Sequence, residues 1–304
     1  MRTPGIEQAQ LSSSLRCYNM TMTKRLRVIA AIPNYNMADS LRQLLPSLKL
    51  QGYDQIYVLD DASTDNSRDV ASELGAVFVS SSINKGAGGA RNNVLKALAG
   101  EDLAETLIHF IDADITLATP NTPEVAQRLF ADRDQIGFIG GLIKDNAGKQ
   151  AAWNFGPQQS LITVIAATGN SLISRIASPL PGLAKFIHHY HLWPFLRLYP
   201  FTLEPPVRRP VYWTLEGNLF IMADRLKELG GFDETIREHD IQPLAMAAQK
   251  AGYVNYFDPA VAVIHHEGNV RSYNRDIRRI KVEWYLARKN GLSRWLTGGL
   301  NCNK

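Results

Sequence analysis

Two aspartates, Asp112 and Asp114, bracket a single alanine at the end of the apolar run TLIHFID, within TLIHFIDADITL (106–117). Positions i and i+2 of extended backbone share a face, so the pattern predicts two carboxylates pointing together. At an effective dielectric of 20, like charges ~5 Å apart repel by roughly 3 kcal/mol. A cation between them would offset that repulsion, whereas full solvation in a loop would remove the question. Hard cations such as Mg2+ or Mn2+ take oxygen ligands, keep several waters and bridge phosphate groups. The chemistry suggested by this corner is therefore metal-assisted handling of a phosphorylated ligand. A second acidic pair, Asp60 and Asp61, closes YVLDD; Glu238 and Asp240 flank His239; and His265 and His266 end VAVIHH.

The elements that must position these residues alternate regularly from Arg27 onward. RVIAAIP (27–33), QIYVLDD (55–61), AVFVSS (76–81) and TLIHFID (106–112) read as strands. MADSLRQLLPSLKLQ (37–51) reads as a helix from the spacing of Leu41, Leu44, Leu45 and Leu48, despite Pro46. TDNSRDVASELG (64–75) reads as a helix with Thr64 as its N-cap, and KGAGGARNNVLKALAG (85–100) as another. Such alternation predicts an α/β fold, a mostly parallel sheet with helices on both faces. Ligands of such sheets bind beyond the carboxyl ends of the strands. Asn34-Tyr35-Asn36, Asp60-Asp61, Asn84-Lys85 and Asp112-Asp114 all fall there, so four strand ends should meet on one rim. QIGFIGGLI (135–143), a helix over 239–251 and a strand from 253 complete the regular elements.

Composition is that of an ordinary globular chain: 304 residues, 45% hydrophobic, 20% charged, net charge +4. That balance gives no reason to expect nucleic acid. Cys17 and Cys302 lie near opposite ends, which excludes a disulfide framework or zinc motif and fits a cytoplasmic setting. No apolar run reaches the ~18–20 residues of a membrane span. Residues 1–24, polar and serine-rich, read as a loose extension.

Each motif also has a plain reading. KGAGGAR (85–91) has Arg91 where a dinucleotide fingerprint needs its third glycine, and it follows the third strand. Its glycines serve either close helix packing or a ligand, and Lys85 and Arg91 at a helix N-terminus suit a phosphate. Asp61 or Ser63 could simply cap a turn. Glu238 and Asp240 could answer a helix's N-terminal preference for acids or supply a general base. A strand-end histidine such as His265 is structural or a metal ligand.

Taken together, AAIPNYNMADSLRQLLPSL, YVLDDASTDNS, SSINKGAGGARN and HFIDADITL resemble the successive blocks of the family 2 glycosyltransferases, which have the GT-A fold. EGNLFIMADRLKELGGFDE, REHD, AGY and VAVIHHEG are similar to the later blocks, and together these cover roughly half the chain in the family's order. The resemblance implies an inverting transfer of a sugar from a nucleoside diphosphate donor, UDP or dTDP, to a hydroxyl of a saccharide or lipid-linked acceptor. It implies Mg2+ or Mn2+ held by Asp112 and Asp114, with His265, in preference to His266, as third ligand. Pro33, Tyr35 and Asp61 would hold the base; Asn36, Asp60, Asn84, Lys85, Gly86, Arg91 and Ala113 would line the donor side. Trp213, Glu216, Gly217 and Asn218 would face the acceptor. Glu238 or Asp240 would be the base, in an acidic motif that departs from the family's usual Glu-Asp pair.

The expected organisation is a GT-A domain over 25–268, divided into a nucleotide-sugar half (25–117) and an acceptor half (118–268), followed by a basic helical tail (269–304). Between Arg271 and Arg294 the tail has eight basic against two acidic residues, together with Trp284. It reads as a solvated face or as a peripheral contact with anionic lipid on the cytoplasmic side of the inner membrane. The aromatic stretch 186–201 reads as packing, a lid or an acceptor platform. Two rival functions are a nucleotidyltransferase, which would want a glycine- and arginine-rich loop where PNYN stands, and a binding protein that retained the fold without catalysis.

Overall fold

The computed structural model describes residues 25–151, 154–156, 206–237 and 241–266, together with 281, 282, 284–286, 288 and 289. The aromatic stretch 186–201, residues 1–24 and most of the basic tail lie outside the described residues, as do Glu238 and Asp240.

The first half alternates as its apolar spacing requires: β1 (Arg27–Asn34), α1 (Ala38–Lys49), β2 (Gln55–Asp60), α2 (Ser67–Glu73), β3 (Val77–Ser80), α3 (Ala87–Ala97) and β4 (Thr106–Ile111). The short β5 (Ile115–Leu117), α4 (Thr122–Leu129) and β6 (Ile136–Lys144) follow, then β7 (Phe155–Gly156), β8 (Arg209–Val211), β9 (Trp213–Thr214) and β10 (Asn218–Met222). Two helices, α5 (Ala223–Glu228) and α6 (Ile241–Lys250), precede the long β11 (Val254–His265). Along the main sheet the strand order is β3-β2-β1-β4-β10-β6-β11-β5, with β8 added on β11; β7 and β9 form a separate pair.

Strand alternation builds the two faces. Ile29 and Ala31 pack on one side with Val94 of α3, Leu98 just past its end, and Leu244 and Ala245 of α6. Ala30 and Ile32 pack on the other with Leu41, Leu44, Leu45 and Leu48 of α1 and Val70 and Ala71 of α2. Pro46 sits on the solvent side of α1, as does Arg42, whose carbonyl loses its intrahelical partner to the proline and can meet water instead.

The sheet is mostly parallel, as expected, with β10 running antiparallel between β4 and β6. One feature differs from the sequence reading: Thr64 does not cap α2. The helix begins at Ser67, whose N–H and hydroxyl both donate to Asp65 (3.0 and 2.6 Å), while the Thr64 N–H donates to Asn36 at 2.8 Å.

Candidate active site

The carboxyl ends of β1, β2 and β4 and the loop after β3 meet on one rim. At β4, Ile111, Ala113 and Ile115 join one apolar cluster beneath α1. That arrangement turns Ala113 inward and leaves the flanking Asp112 and Asp114 at the rim. Antiparallel pairing of β11 with β5 sets His265 opposite Ile115, which delivers its imidazole to the two aspartates. His265 Nε2 lies 3.7 Å from Asp112 Oδ2 and 3.5 Å from Asp114 Oδ1. One ligand atom from each of the three falls within 4.8 Å of the others, an arrangement able to hold a divalent ion. His266 is placed otherwise: its ring nitrogens bond Thr116 Oγ1 (2.7 Å) and Asn146 Oδ1 (2.8 Å).

Arg91 projects from α3 and donates from Nη2 to Asp112 Oδ1 at 3.0 Å; its side chain is only 4% exposed. Burial works against charge on Asp112, but His265 and Arg91 outweigh it and hold the carboxyl below its ordinary value. Gly217 approaches from the β9–β10 loop, its carbonyl accepting from the Asp112 N–H at 3.4 Å. A Cβ there would lie 2.5 Å from Asp112 Oδ2, so any other residue would push the carboxylate aside.

Several residues expected to contact the donor also hold the rim together. Asp61 accepts from the N–H groups of Lys85 (2.8 Å) and Gly86 (2.7 Å) with its two oxygens. At 3% exposure it shapes the glycine loop. Asp60 accepts from Asn34 Nδ2 (2.8 Å) and Ser63 N–H (3.0 Å). Asn36 accepts from Thr64 and Asp65 N–H groups, while its own N–H donates to Ser63 Oγ at 2.9 Å. Tyr35, flanked by these knotted residues beside Pro33, stands 51% exposed.

On the expected acceptor side, Asn218 is fully buried. Its Oδ1 meets His109 Nε2 at 2.9 Å and its Nδ2 donates to the carbonyls of Leu142 and Val261, so it lies beneath the site instead of facing an acceptor. Trp213 is likewise buried in the core. Glu216 accepts from the Ile241 N–H at 3.1 Å, at the first residue of α6.

Sequence reasoning missed Asn92, Glu234 and Arg237. Glu234 pairs with Lys85 Nζ at 2.7 Å, a contact that with Asn92 holds its carboxyl below the usual value. Arg237 Nη2 donates to the Asn84 carbonyl at 3.1 Å. Their partners lie about 140–150 positions away in the chain, so no local spacing could reveal them.

Comparison with known proteins fits this geometry. Residues 29–154 match the sequence model of glycosyl transferase family 2. An uncharacterized glycosyltransferase of Nostoc sp. is 33% identical over 158 residues, 48% of this chain and 47% of the relative, so the chain spans about half the length of that curated relative. Among solved structures, a mannosyltransferase from Pyrobaculum calidifontis in complex with GDP-Man and Mn2+ superposes with a TM-score of 0.55 at 17% identity, over 88% of this chain and 66% of that one. TarS of S. aureus in complex with UDP gives a TM-score of 0.54 at 16% identity, over 91% and 71%. These structural likenesses speak for the fold: a curled, mostly parallel sheet flanked by helices, of the GT-A class. Residues 29–154 thus carry the match to glycosyl transferase family 2, on a fold of the GT-A class.

Proposed function

We propose that the protein is a metal-dependent, inverting glycosyltransferase that moves a sugar from a nucleoside diphosphate to a hydroxyl acceptor. The observation that carries this reading is the convergence of Asp112, Asp114 and His265 at the mouth of a rim built by the family-matched segment. The three offer two carboxylates and one imidazole, a donor set that suits Mn2+ and accepts Mg2+. Bound there, the ion would neutralise charge gathering on the departing diphosphate.

The chain's own groups supply the rest. Arg91 fixes the rotamer of Asp112 and keeps it ionised. Pro33 and the exposed Tyr35 offer an apolar edge and an aromatic face for the base, UDP or dTDP being the favoured donors. Lys85 and the N-terminus of α3 lie where the donor's phosphates would find positive charge. Glu238 or Asp240 takes the acceptor's proton as the new bond forms on the opposite face of the sugar, which inverts C1. Glu216, at the head of α6, borders the acceptor side.

A saccharide or lipid-linked acceptor fits the basic tail. Within its described helical residues, Trp284 is 46% exposed with Arg288 over its ring at 5.4 Å, and Lys281 is exposed too. That face supports a peripheral contact with anionic headgroups at the cytoplasmic membrane surface. Among the described residues no helix is long and apolar enough to cross a membrane.

The deciding experiment offers UDP-, dTDP- and GDP-linked hexoses with Mn2+ or with EDTA, and follows release of the nucleoside diphosphate. Metal-dependent release that disappears in Asp114→Ala, but not in the surface control Arg42→Ala, is expected. Release indifferent to EDTA and to Asp114 would overturn the reading.

A further inference from the structure

Three cationic side chains gather around the glycine-rich loop that opens α3, and they differ in what their charge already faces. Arg91 is engaged by Asp112, with 3.0 Å between Nη2 and Oδ1. Lys85 is engaged by Glu234, with 2.7 Å from Nζ to Oε2, and Asn92 Nδ2 braces that carboxylate at 3.2 Å. Arg237 is the third. Its Nη2 donates to the Asn84 carbonyl at 3.1 Å and its Nη1 reaches Asn84 Oδ1 at 3.5 Å. Among the described residues it meets no carboxylate. An exposed guanidinium therefore stands over the loop with only neutral oxygens as partners.

The segment that carries Arg237 is fixed in place. Asn92 Oδ1 accepts from the Phe232 N–H at 2.8 Å, and Asn92 Nδ2 donates to the Phe232 carbonyl at 2.9 Å. Asp233 Oδ2 accepts from Lys289 Nζ at 2.7 Å and from Tyr285 Oη at 3.1 Å, while Ile236 packs on Val282 and Leu286. At the end of the segment the Arg237 stem lies on Gly86, where a Cβ would meet its Cγ at 3.4 Å and its Cβ at 3.5 Å. Gly86 stands at φ +86°, so glycine serves both the turn and the close approach. Arg91 lies in the helix that follows, about 7.5 Å of rise further along. The guanidinium and the Asp112 corner thus border the same stretch of rim.

A clamp on the loop would not call for this residue. Asp61 already secures the loop from beneath, accepting from the N–H groups of Lys85 and Gly86 at 2.8 and 2.7 Å. Holding a carbonyl takes one neutral donor, whereas a guanidinium brings a charge and five N–H groups, most of which these contacts leave unused. Another cation beside Lys85 and Arg91 adds repulsion unless an anion joins them. The forked geometry of arginine suits phosphate oxygens, which it binds two at a time.

We infer that Arg237 is a donor-binding residue, its guanidinium engaging the diphosphate of the nucleotide sugar beside the Asp112–Asp114–His265 corner. The inference rests on the function proposed above and deepens it, naming a phosphate ligand from well beyond the family-matched stretch. Lys85 reaches the same group only in competition with Glu234; Arg237 has no such rival among the described residues.

The test titrates the full chain, saturated with Mn2+, with UDP and separately with inorganic pyrophosphate. Arg237→Gln should weaken both by at least ~10-fold, the scale of a hydrogen bond to a charged group. Its remaining UDP affinity should also depend less steeply on salt. Arg237→Lys keeps the charge without the fork and should recover part of the loss. Arg42→Gln removes the same charge from the solvent side of α1 and should leave both affinities within about twofold. The Tm without ligand and the affinity for Mn2+ alone should be unchanged in Arg237→Gln, because neither involves phosphate. Undiminished UDP affinity, or a parallel fall in Tm or in Mn2+ affinity that marks a structural role, would overturn the inference. Arg237-dependent binding of pyrophosphate by a chain that ignores every nucleoside diphosphate would uphold the phosphate contact and sink the proposed donor instead.

Discussion

The guanidinium of Arg91 joins two parts of the site, donating to Asp112 Oδ1 at 3.0 Å while its central carbon stands 5.5 Å from the Phe232 ring. Arg91→Met removes that charge and leaves Asp112 facing Asp114 without its buried counter-ion. Breaking a buried pair by removing one partner costs about 3–5 kcal/mol; because Asp112 is itself about a third open to water, the expected loss is smaller, about 2 kcal/mol. Urea denaturation at pH 7 measures it. The double variant Arg91→Met/Asp112→Leu should recover most of the loss, and a single variant as stable as the parent contradicts the assigned role.

Metal binding should be visible without turnover. A ligand present at a hundred times its Kd stabilises the native state by about 2.7 kcal/mol, so saturating Mn2+ should raise the Tm of the unaltered chain clearly. Asp114→Asn and His265→Ala should each abolish most of that rise, whereas His266→Ala, whose ring is engaged by Thr116 and Asn146, should retain it. Because one of the three groups is an imidazole, Mn2+ should bind more tightly than Mg2+. Titration calorimetry with both ions decides the order.

How much of this was legible follows the range of the contacts. Leu41, Leu44, Leu45 and Leu48 announce α1 through spacing alone, and all four are buried. The outward turn of Asp112 and Asp114 around an inward Ala113 is equally local. The antiparallel placement of β10 was not legible, because NLFIM is apolar throughout and direction is fixed only by its neighbours β4 and β6. The burial of Asn218 is hidden for the same reason: its partners His109, Leu142 and Val261 arrive from three other strands. The sequence also does not reveal that the loop at Lys85 and Gly86 folds back onto Asp61.

His109 supplies an acid-sensitive contribution to stability. It is wholly buried, stacked on Phe220 at 3.8 Å, and bonded through Nδ1 to Tyr53 Oη at 2.7 Å and through Nε2 to Asn218. Both Asn218 Nδ2 contacts are carbonyls, so Oδ1 must face Nε2–H and the Tyr53 hydroxyl must donate to Nδ1. Burial pulls the imidazole down to about 3 from 6.5, against a smaller opposing pull from Asn218. Between those values the unfolded chain binds a proton that the native state refuses, so stability falls as pH drops from 6.5 toward 3 and this contribution is flat outside the window. The ceiling on the effect is roughly 5 kcal/mol. Urea midpoints at pH 7, 6, 5 and 4 should show the decline, and His109→Gln should flatten it. Equal slopes for both proteins would refute the assignment.

The closest test of the corner's geometry is Gly217→Ala. The added Cβ would stand 2.5 Å from Asp112 Oδ2 and 3.0 Å from its Cγ, distances that real contacts do not tolerate. Something must yield, and the short Asp112 side chain has little reach for doing so, with Oδ1 tied to Arg91. The carboxylate therefore rotates out of register with Asp114 and His265. Because Gly217 lies at the rim, the fold should keep most of its stability, with a loss of about 1–2 kcal/mol of the kind that overpacking brings. Mn2+ affinity should fall by at least ~10-fold, which is about 1.4 kcal/mol, since one of three ligands is turned away. Calorimetric titration of the variant with Mn2+, beside a urea curve, separates the two effects. Undiminished metal affinity would mean that Asp112 is not held where the Gly217 contact puts it.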